Sequence, residues 1–356
     1  MSDQNPADPP QPSAVLHHWP ELAGPVRPAP DAGLINETFF VGEPTRAVLQ
    51  WVNPIFDPTV HHDIAAVTER LAEQGLETPR MIPTADGGLW AEVDASDGCW
   101  RLMTYVEGRT VHRLEGPTRA TAAGELVGRF HRALAGWNYR FRAPRRNIHD
   151  TPARMDELHT ALAACDGHPL ASEARRLGAT LLDRWDLWRK EYGDPGQLPE
   201  RPCHGDLKIS NLRFTPEGTS PLRALCLIDL DTLGPMSLAS EMGDAWRSWC
   251  NTGSEDALDS VAFDVDLFAA SARGWLSEAP PLEPAERQAL VPSIERICLE
   301  LASRFCADAV RNTYFREDRT RYPEVGTHNL HRAQGQLALA TSAREQRPVC
   351  EEIIHD

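Results

Sequence analysis

The rhythm of apolar positions changes once along the chain. Between residues 32 and 106 the apolar residues come in short runs. GLINETFFV, starting at Gly33, predicts a strand, GEPT a turn, and RAVLQWV, ending at Val52, a second strand. Two apolar runs joined by a Gly/Pro turn predict a hairpin. In HHDIAAVTERLAEQG, Ile64, Val67 and Leu71 recur at helical spacing and Gly75 stands where a C-terminal stop belongs. GLWAEVD and CWRLMTYV then predict two more strands around the turn ASDG. From 107 onward the pattern is mostly helical. PTRATAAGELVGRFHRAL is one predicted helix. LASEARRLGATLLDRWDLWRKEY is another, with Leu177, Leu181, Trp185 and Trp188 on one core-facing stripe. Loop and short strands interrupt the helices between 203 and 231. Helices return at about 240–250, 256–277, 284–313 and 331–345, with Pro292 expected to kink or split the third of these.

This order predicts an α+β chain of two lobes: a small β-rich lobe over 32–106 and a large helical lobe over 107–356. They are joined at about Met103–Gly108. Residues 1–31 hold eight prolines and little periodicity, and read as a disordered or loosely docked tail.

Composition narrows the partners. The formal charge is −16, which disfavours nucleic acid and anionic membrane surfaces, because phosphate backbones select for a Lys/Arg excess. No apolar run is long enough to span a bilayer, and the N-terminus lacks a basic start and apolar core, so a membrane anchor or secretory signal is not expected. Eight scattered cysteines form no CxxC and have no His at zinc spacing; buried reduced thiols in a cytoplasmic protein are expected. Only Lys190 and Lys208 are lysines, so any role that needs a lysine has two candidates.

The chemistry concentrates in CHGDLKISNLRFTPEGTSPLRALCLIDLDT, residues 203–232. An apolar strand, Leu225–Ile228, delivers Asp229 and then Asp231 to a sheet edge, where carboxylates can hold a hard cation. Asn211 can add a neutral carbonyl oxygen to the same ion. Asp206, in a tight Gly-containing loop, can face an incoming hydroxyl, and Lys208 adds a point charge. A general base, metal ligands and a cation suffice for phosphoryl transfer, which depends mainly on positioning and charge neutralisation. His204 is expected to bond the loop backbone or a carboxylate.

These residues resemble the catalytic loop of the aminoglycoside phosphotransferase and choline-kinase superfamily, which has the protein-kinase-like fold. AGLINETFFV, VLQWVNPIFDP, LIDLDTLGP, ASRFCADAV, TYF and YPEVGTHNLHRAQGQL are similar to its N-acetylhexosamine 1-kinase branch, over about residues 32–340. The resemblance implies ATP between the lobes, under the hairpin 34–50, with adenine against the backbone of Thr104, Tyr105 and Val106. It implies Asp206 as the base and Asn211 and Asp229 as Mg²⁺ ligands. Asp231 would be an acid behind that metal or at a second one.

Two departures follow. Gln50 stands where most kinase-like folds carry a phosphate-gripping lysine, as it does in the branch resembled, so the source of the compensating charge is open. The hairpin tip Gly33–Thr38 is not glycine-rich, so Asn36 and Thr38 would donate hydrogen bonds to phosphate, unless Asn36 caps a turn. Glu69 reads as a solvated helix position, and Asp244 with Arg247 as a pair bracing the metal loop. Arg304, in LASRFCADAV, needs a partner: a sugar hydroxyl or N-acetyl carbonyl, or a structural carboxylate. Tyr314, Asn329 and Arg332 are weaker candidates of the same kind. The leading expectation is an ATP- and Mg²⁺-dependent kinase acting on a small-molecule sugar acceptor, at the anomeric hydroxyl of an N-acetylhexosamine. The alternatives are an aminoglycoside, choline-like or amino-alcohol acceptor, or a non-catalytic binding module. The oligomeric state stays open.

Overall fold

Side chains of successive strand residues point to opposite faces of a sheet, and that alternation builds the small lobe. Strands β1 (Val26–Pro28), β2 (Glu37–Val41) and β3 (Ala47–Val52) precede helix α1 (Val60–Glu73), with β4 (Ala91–Glu92) and β5 (Cys99–Thr104) after it. The five strands form one antiparallel sheet in the order β1-β2-β3-β5-β4. One face buries Val41, Ala47, Leu49, Trp51, Ala91, Trp100 and Leu102 in a common cluster. On β3 and β5 the other set includes Gln50 and Arg101, which lie directly opposite each other in the register. The computed structural model describes residues 11–22, 24–30, 35–92, 98–143, 148–193, 198–253, 256 and 260–355. Gly33 and Leu34 of the hairpin tip and 95–97 of the turn ASDG lie outside them, as do residues 1–10 of the expected tail.

The expectation of a loose tail fails over the described residues 11–22 and 24–30. Val15 and Trp19 are buried in the small-lobe core, and Trp19 Nε1 donates to the Ile82 carbonyl at 2.9 Å. β1 pairs with β2, Val26 opposite Val41 and Pro28 opposite Phe39. Proline is tolerated because β1 is an edge strand with no further neighbour to receive an N–H.

α1 follows the predicted spacing, burying Ile64, Val67 and Leu71, and the chain turns at Gly75 with φ +76. These side chains join the core of the helical lobe, not that of the sheet, so α1 ties the lobes together. The helical lobe comprises α2 (Pro117–Leu134), α3 (Thr151–Ala163), α4 (Ala171–Tyr192), α5 (Leu238–Trp249), α6 (Val265–Glu278), α7 (Pro284–Arg311) and α8 (Thr327–His355). α3 has no counterpart among the predicted helices, because only Thr151, Met155, Leu158 and Ala161 of its thirteen residues are buried. α6 starts at 265, later than the expected 256, where the Asp264 side chain caps the Leu267 N–H. Pro292 neither splits nor ends α7; the Pro292 carbonyl accepts from Trp188 Nε1 at 3.0 Å. α8 outruns its predicted span at both ends. Two small sheets lie among the helices: β6 (Arg109–Thr110), β8 (Leu212–Phe214) and β9 (Ala224–Leu227) form one, and β7 (Arg201–Cys203) with β10 (Gly234–Met236) the other. All eight cysteines are buried and free. Among the described residues no helix is long and apolar enough to cross a membrane.

Candidate active site

β7 ends at Cys203 and hands over to the loop His204–Lys208, which is fixed from beneath by α5. Glu241 of α5, itself buried, accepts the backbone N–H groups of His204 at 2.7 Å and Gly205 at 2.9 Å. Trp249 Nε1 donates to the Leu207 carbonyl at 2.6 Å, and Thr232 Oγ1 to the His204 carbonyl at 2.7 Å. Gly205 has φ +84, and a Cβ there would lie 2.5 Å from the Thr232 carbonyl oxygen, so the turn admits only glycine. His204 plays the bracing role expected of it. Its Nδ1 accepts the Asp206 N–H at 3.3 Å, and Nε2 donates to the Ile228 carbonyl at 3.0 Å.

The side chains above this base converge. Asp206 Oδ2 accepts from Lys208 Nζ at 2.8 Å and from Asn211 Nδ2 at 3.1 Å. Asn211 Nδ2 also donates to the Asp206 carbonyl at 2.8 Å, which orients the amide and leaves its carbonyl oxygen for another partner. The Ile228 N–H donates to the Asn211 backbone carbonyl at 2.9 Å, setting the end of β9 beside the loop and Asp229 next in line. Lys208 Nζ stands 3.7 Å from Asp229 Oδ2. The Asp229 side chain keeps 38% of its surface exposed, enough to meet a ligand.

Electrostatics mark this as a place short of positive charge. Burial and then the neighbouring Asp231 and Asp206 carboxylates push the Asp229 pKa above the ordinary carboxylate value, with Lys208 offsetting them only in part. Burial would lower Lys208, but the charges of Asp206 and Asp229 outweigh it and raise its pKa. Crowded hard oxygen donors with one shared lysine fit a divalent cation such as Mg²⁺, which favours a few carboxylates plus phosphate oxygens. Asp229 and the side-chain carbonyl oxygen Oδ1 of Asn211 could hold it.

Two expected assignments are corrected by geometry. Asp231 was expected as an acid behind the metal or at a second one, and the geometry removes the second of these. Asp231 is 1% exposed, and both its oxygens are occupied by a bidentate pair with Arg101, the Nη2–Oδ2 contact being 2.9 Å. Asn36 was expected to donate to phosphate. Its Nδ2 donates to Asp231 Oδ2 at 2.7 Å, while its carbonyl oxygen accepts the Asn53 N–H at 3.0 Å. Neither residue caps a turn or faces an open site.

Thr38 and Gln50 lie opposite each other on β2 and β3, joined by Gln50 Nε2 to Thr38 Oγ1 at 3.1 Å. Gln50 Oε1 accepts from Arg101 Nε at 3.0 Å. Arg101 is therefore the cation nearest the place where a lysine is missing, and it is absent from the sequence-based candidates. A charged residue in the middle of the apolar run CWRLMTYV was the available signal, since a buried guanidinium requires a partner.

At the junction of the lobes, Thr104 N–H and Oγ1 are engaged with the Arg80 backbone at 2.8 and 2.9 Å. The Tyr105 N–H donates to the Arg46 carbonyl at 3.1 Å, and the Val106 carbonyl accepts from Arg213 at 3.2 Å. Among the described residues no acceptor meets the Val106 N–H.

In the helical lobe Arg304 does not meet the structural carboxylate that was one of its expected partners. Its guanidinium lies over the rings of Tyr314 and Phe315 at 5.5 and 5.3 Å, and among the described residues no carboxylate pairs with it. Tyr314 is 56% exposed. Asn329 donates to Asp308 at 3.1 Å, and Arg332 donates to the Arg316 carbonyl at 3.0 Å, so both brace the chain around 308–316. Asp244 and Arg247 pair at 2.6 Å as expected, and Glu69 is exposed. A cavity of about 560 Å³ between the end of α1, α2 and β9 includes none of the residues Asp206, Asn211 and Asp229 in its lining.

Residues 26–280 match the family described as phosphotransferase enzymes. The homoserine kinase of Burkholderia multivorans is 23% identical over 246 residues, covering 67% of this chain and 69% of that protein. A microcompartment-associated aminopropanol kinase superposes with a TM-score of 0.64 over 94% of this chain and 98% of its own, at 17% identity. The amicoumacin kinase hAmiN, solved with AMP-PNP and Ca²⁺, does so with a TM-score of 0.60 over 92% of this chain and 93% of its own, at 11% identity. The structural likenesses establish a shared two-lobed, kinase-like fold.

Proposed function

The chain belongs to the phosphotransferase enzyme family, and we propose that it moves the γ-phosphoryl group of ATP, with Mg²⁺, onto a hydroxyl of a small sugar. The observation that carries this reading is the convergence of Asp206, Lys208, Asn211 and Asp229 on one loop and one strand end.

The division of labour follows from which atoms are already engaged. Asp206 Oδ2 is held by Lys208 and Asn211, so Oδ1 is the oxygen free to accept the proton of the acceptor hydroxyl. As the hydroxyl oxygen bonds to the γ-phosphorus, the bond from that phosphorus to the β-phosphate oxygen breaks, ADP leaves, and the proton rests on Asp206. Lys208 places a positive charge between the base and Asp229, where charge builds on the transferred group. Asn211 and Asp229 would hold Mg²⁺, which supplies neutralisation of the phosphate oxygens when bound. The Val106 N–H, with no protein partner among the described residues, suits an acceptor nitrogen of adenine.

The sugar assignment rests on the VLQ-x-x-N-x-x-F and late R-F…H-N-L-x-R sequence patterns. It is supported by Arg304, stacked on Tyr314 without a carboxylate, which leaves its donors for a neutral oxygen. A second reading, an amino-alcohol acceptor, draws on the likeness to homoserine kinases and the aminopropanol kinase. A coupled ADP-release assay over hexosamines, homoserine and aminopropanol, with NMR of the product, separates the two. Turnover with a hexosamine and phosphate on its anomeric carbon is expected. Turnover confined to amino alcohols would replace the sugar, and acceptor-independent ADP formation alone would reject the transferase.

A further inference from the structure

We infer that Arg101 and Asp231 form an inter-lobe clamp that positions Asp229 for its metal, so that Arg101 is a positioning residue of the phosphotransfer site. The inference rests on the phosphotransfer reading above and adds to it a residue on the small lobe.

Both side chains are 1% exposed. A guanidinium or a carboxylate buried alone is prohibitively costly, so each requires the other. The pair is also saturated from the small-lobe side. Gln50 of β3 takes Arg101 Nε at 3.0 Å, and Asn36 donates to Asp231 at 2.7 Å while anchored to the Asn53 backbone. Two separate pieces of the small lobe, Arg101 on β5 and Asn36 before β2, thus hold one acid of the helical lobe, with Gln50 bracing the arginine, and the Arg101–Asp231 contact joins residues 130 positions apart.

That acid stands two residues beyond Asp229, whose backbone needs holding. Asp229 has φ +65, a left-handed conformation that costs an L-residue about 1–2 kcal/mol. Among the described residues no donor hydrogen-bonds its carboxylate, and Lys208 comes only to 3.7 Å. Its position is set by what flanks it. On one side is the Ile228–Asn211 backbone bond at 2.9 Å; on the other is the one-turn helix Leu230–Thr232, which the clamp pins through Asp231. The clamp also settles the roles of the two acids. Arg101 compensates Asp231, so Asp229 is the carboxylate left with charge for a cation.

Three variants test this: Arg101→Gln, Asp231→Asn and the double variant. Each single change strands a buried charge and should lower the melting temperature. The double variant strands none and should melt within a few degrees of the unmodified protein. Positioning should nevertheless be lost, so Mn²⁺·ADP affinity, read by electron paramagnetic resonance, should fall at least tenfold, with a matching rise in KM for ATP. A double variant that binds Mn²⁺·ADP within twofold of the unmodified protein would overturn the clamp. Should the double variant not fold, Arg101→Lys keeps the charge but cannot bridge both oxygens. A three- to tenfold weaker Mn²⁺·ADP affinity is then expected, and unchanged affinity overturns the inference. An unmodified chain that binds no Mn²⁺·ADP would instead overturn the phosphotransfer reading, and the clamp with it.

Discussion

In Glu241→Gln, two backbone N–H groups that now meet two carboxylate oxygens would meet one oxygen and one amide nitrogen. The His204 and Gly205 amides donate at 2.7 and 2.9 Å to a side chain that is 1% exposed, so no water is available to replace the lost acceptor. A hydrogen bond to a charged group contributes about 1.5–3 kcal/mol, and a buried donor left without an acceptor costs about 1–3 kcal/mol. Together they put the loss at about 2.5–6 kcal/mol. Unfolding entropy of about 2.1 cal/mol/K per residue over 356 residues converts this to a fall in melting temperature of about 3–8 °C. The loop that presents Asp206 would also loosen, and small misplacements of a reacting group cost up to about 10² in rate. The pH dependence has a definite sign. Burial pushes the Glu241 carboxyl up, but His131, His204 and the His204 amide outweigh it, and its pKa lies below the ordinary 4.5. A carboxyl lowered on folding contributes stability that is fully present above its unfolded pKa and is lost as pH falls through its folded value. The gap in melting temperature between the unmodified protein and the variant should therefore be full at pH 7 and narrow below about pH 4.5. Scanning calorimetry from pH 7 to 4 measures it. A gap under 1 °C at pH 7, or one that does not change on acidification, would refute this account of how the loop is held.

Asp206→Asn should lower kcat by about 10²–10⁴ while Mg²⁺·ADP still binds in calorimetry; near-normal turnover would remove Asp206 as the base. Gly124→Ala should destabilise the helical lobe by about 1–3 kcal/mol in urea unfolding. The new Cβ would sit 2.0 Å from the Ser271 carbonyl oxygen of α6, and full stability would mean that α2 and α6 pack less closely. Trp19→Ala should cost about 3–5 kcal/mol, because it empties a buried site in the small-lobe core. Unchanged urea unfolding would show that residues 11–22 do not help hold the sheet.

Much of the frame was legible in the residues. Short apolar runs joined by turns gave β2, β3 and β5, the spacing of Ile64, Val67 and Leu71 gave α1, and Gly75 marked its end. The loop from His204 to Asn211 and the strand before Asp229 pointed to the residues that converge at the candidate site, because their short spacing fixes them relative to one another. These are local properties, set within one or two turns of chain. α3 escaped because a helix with few buried positions leaves a faint apolar stripe. Residues 11–22 and 24–30 were misread because prolines signal the absence of regular ladders, not the absence of packing.

The partners of buried charge could not be read this way. CWRLMTYV announces that Arg101 must be neutralised, yet nothing near it says by which residue. Asp231 and Asn36 carry the same chemistry as a metal ligand and a phosphate donor until their surroundings are known. Which acid a buried guanidinium meets depends on which surfaces of two lobes come together across 130 residues of chain. Local propensity sets the elements; desolvation, which acts only once those surfaces meet, decides that Asp231 is sealed in an ion pair and Asp229 is left facing the site.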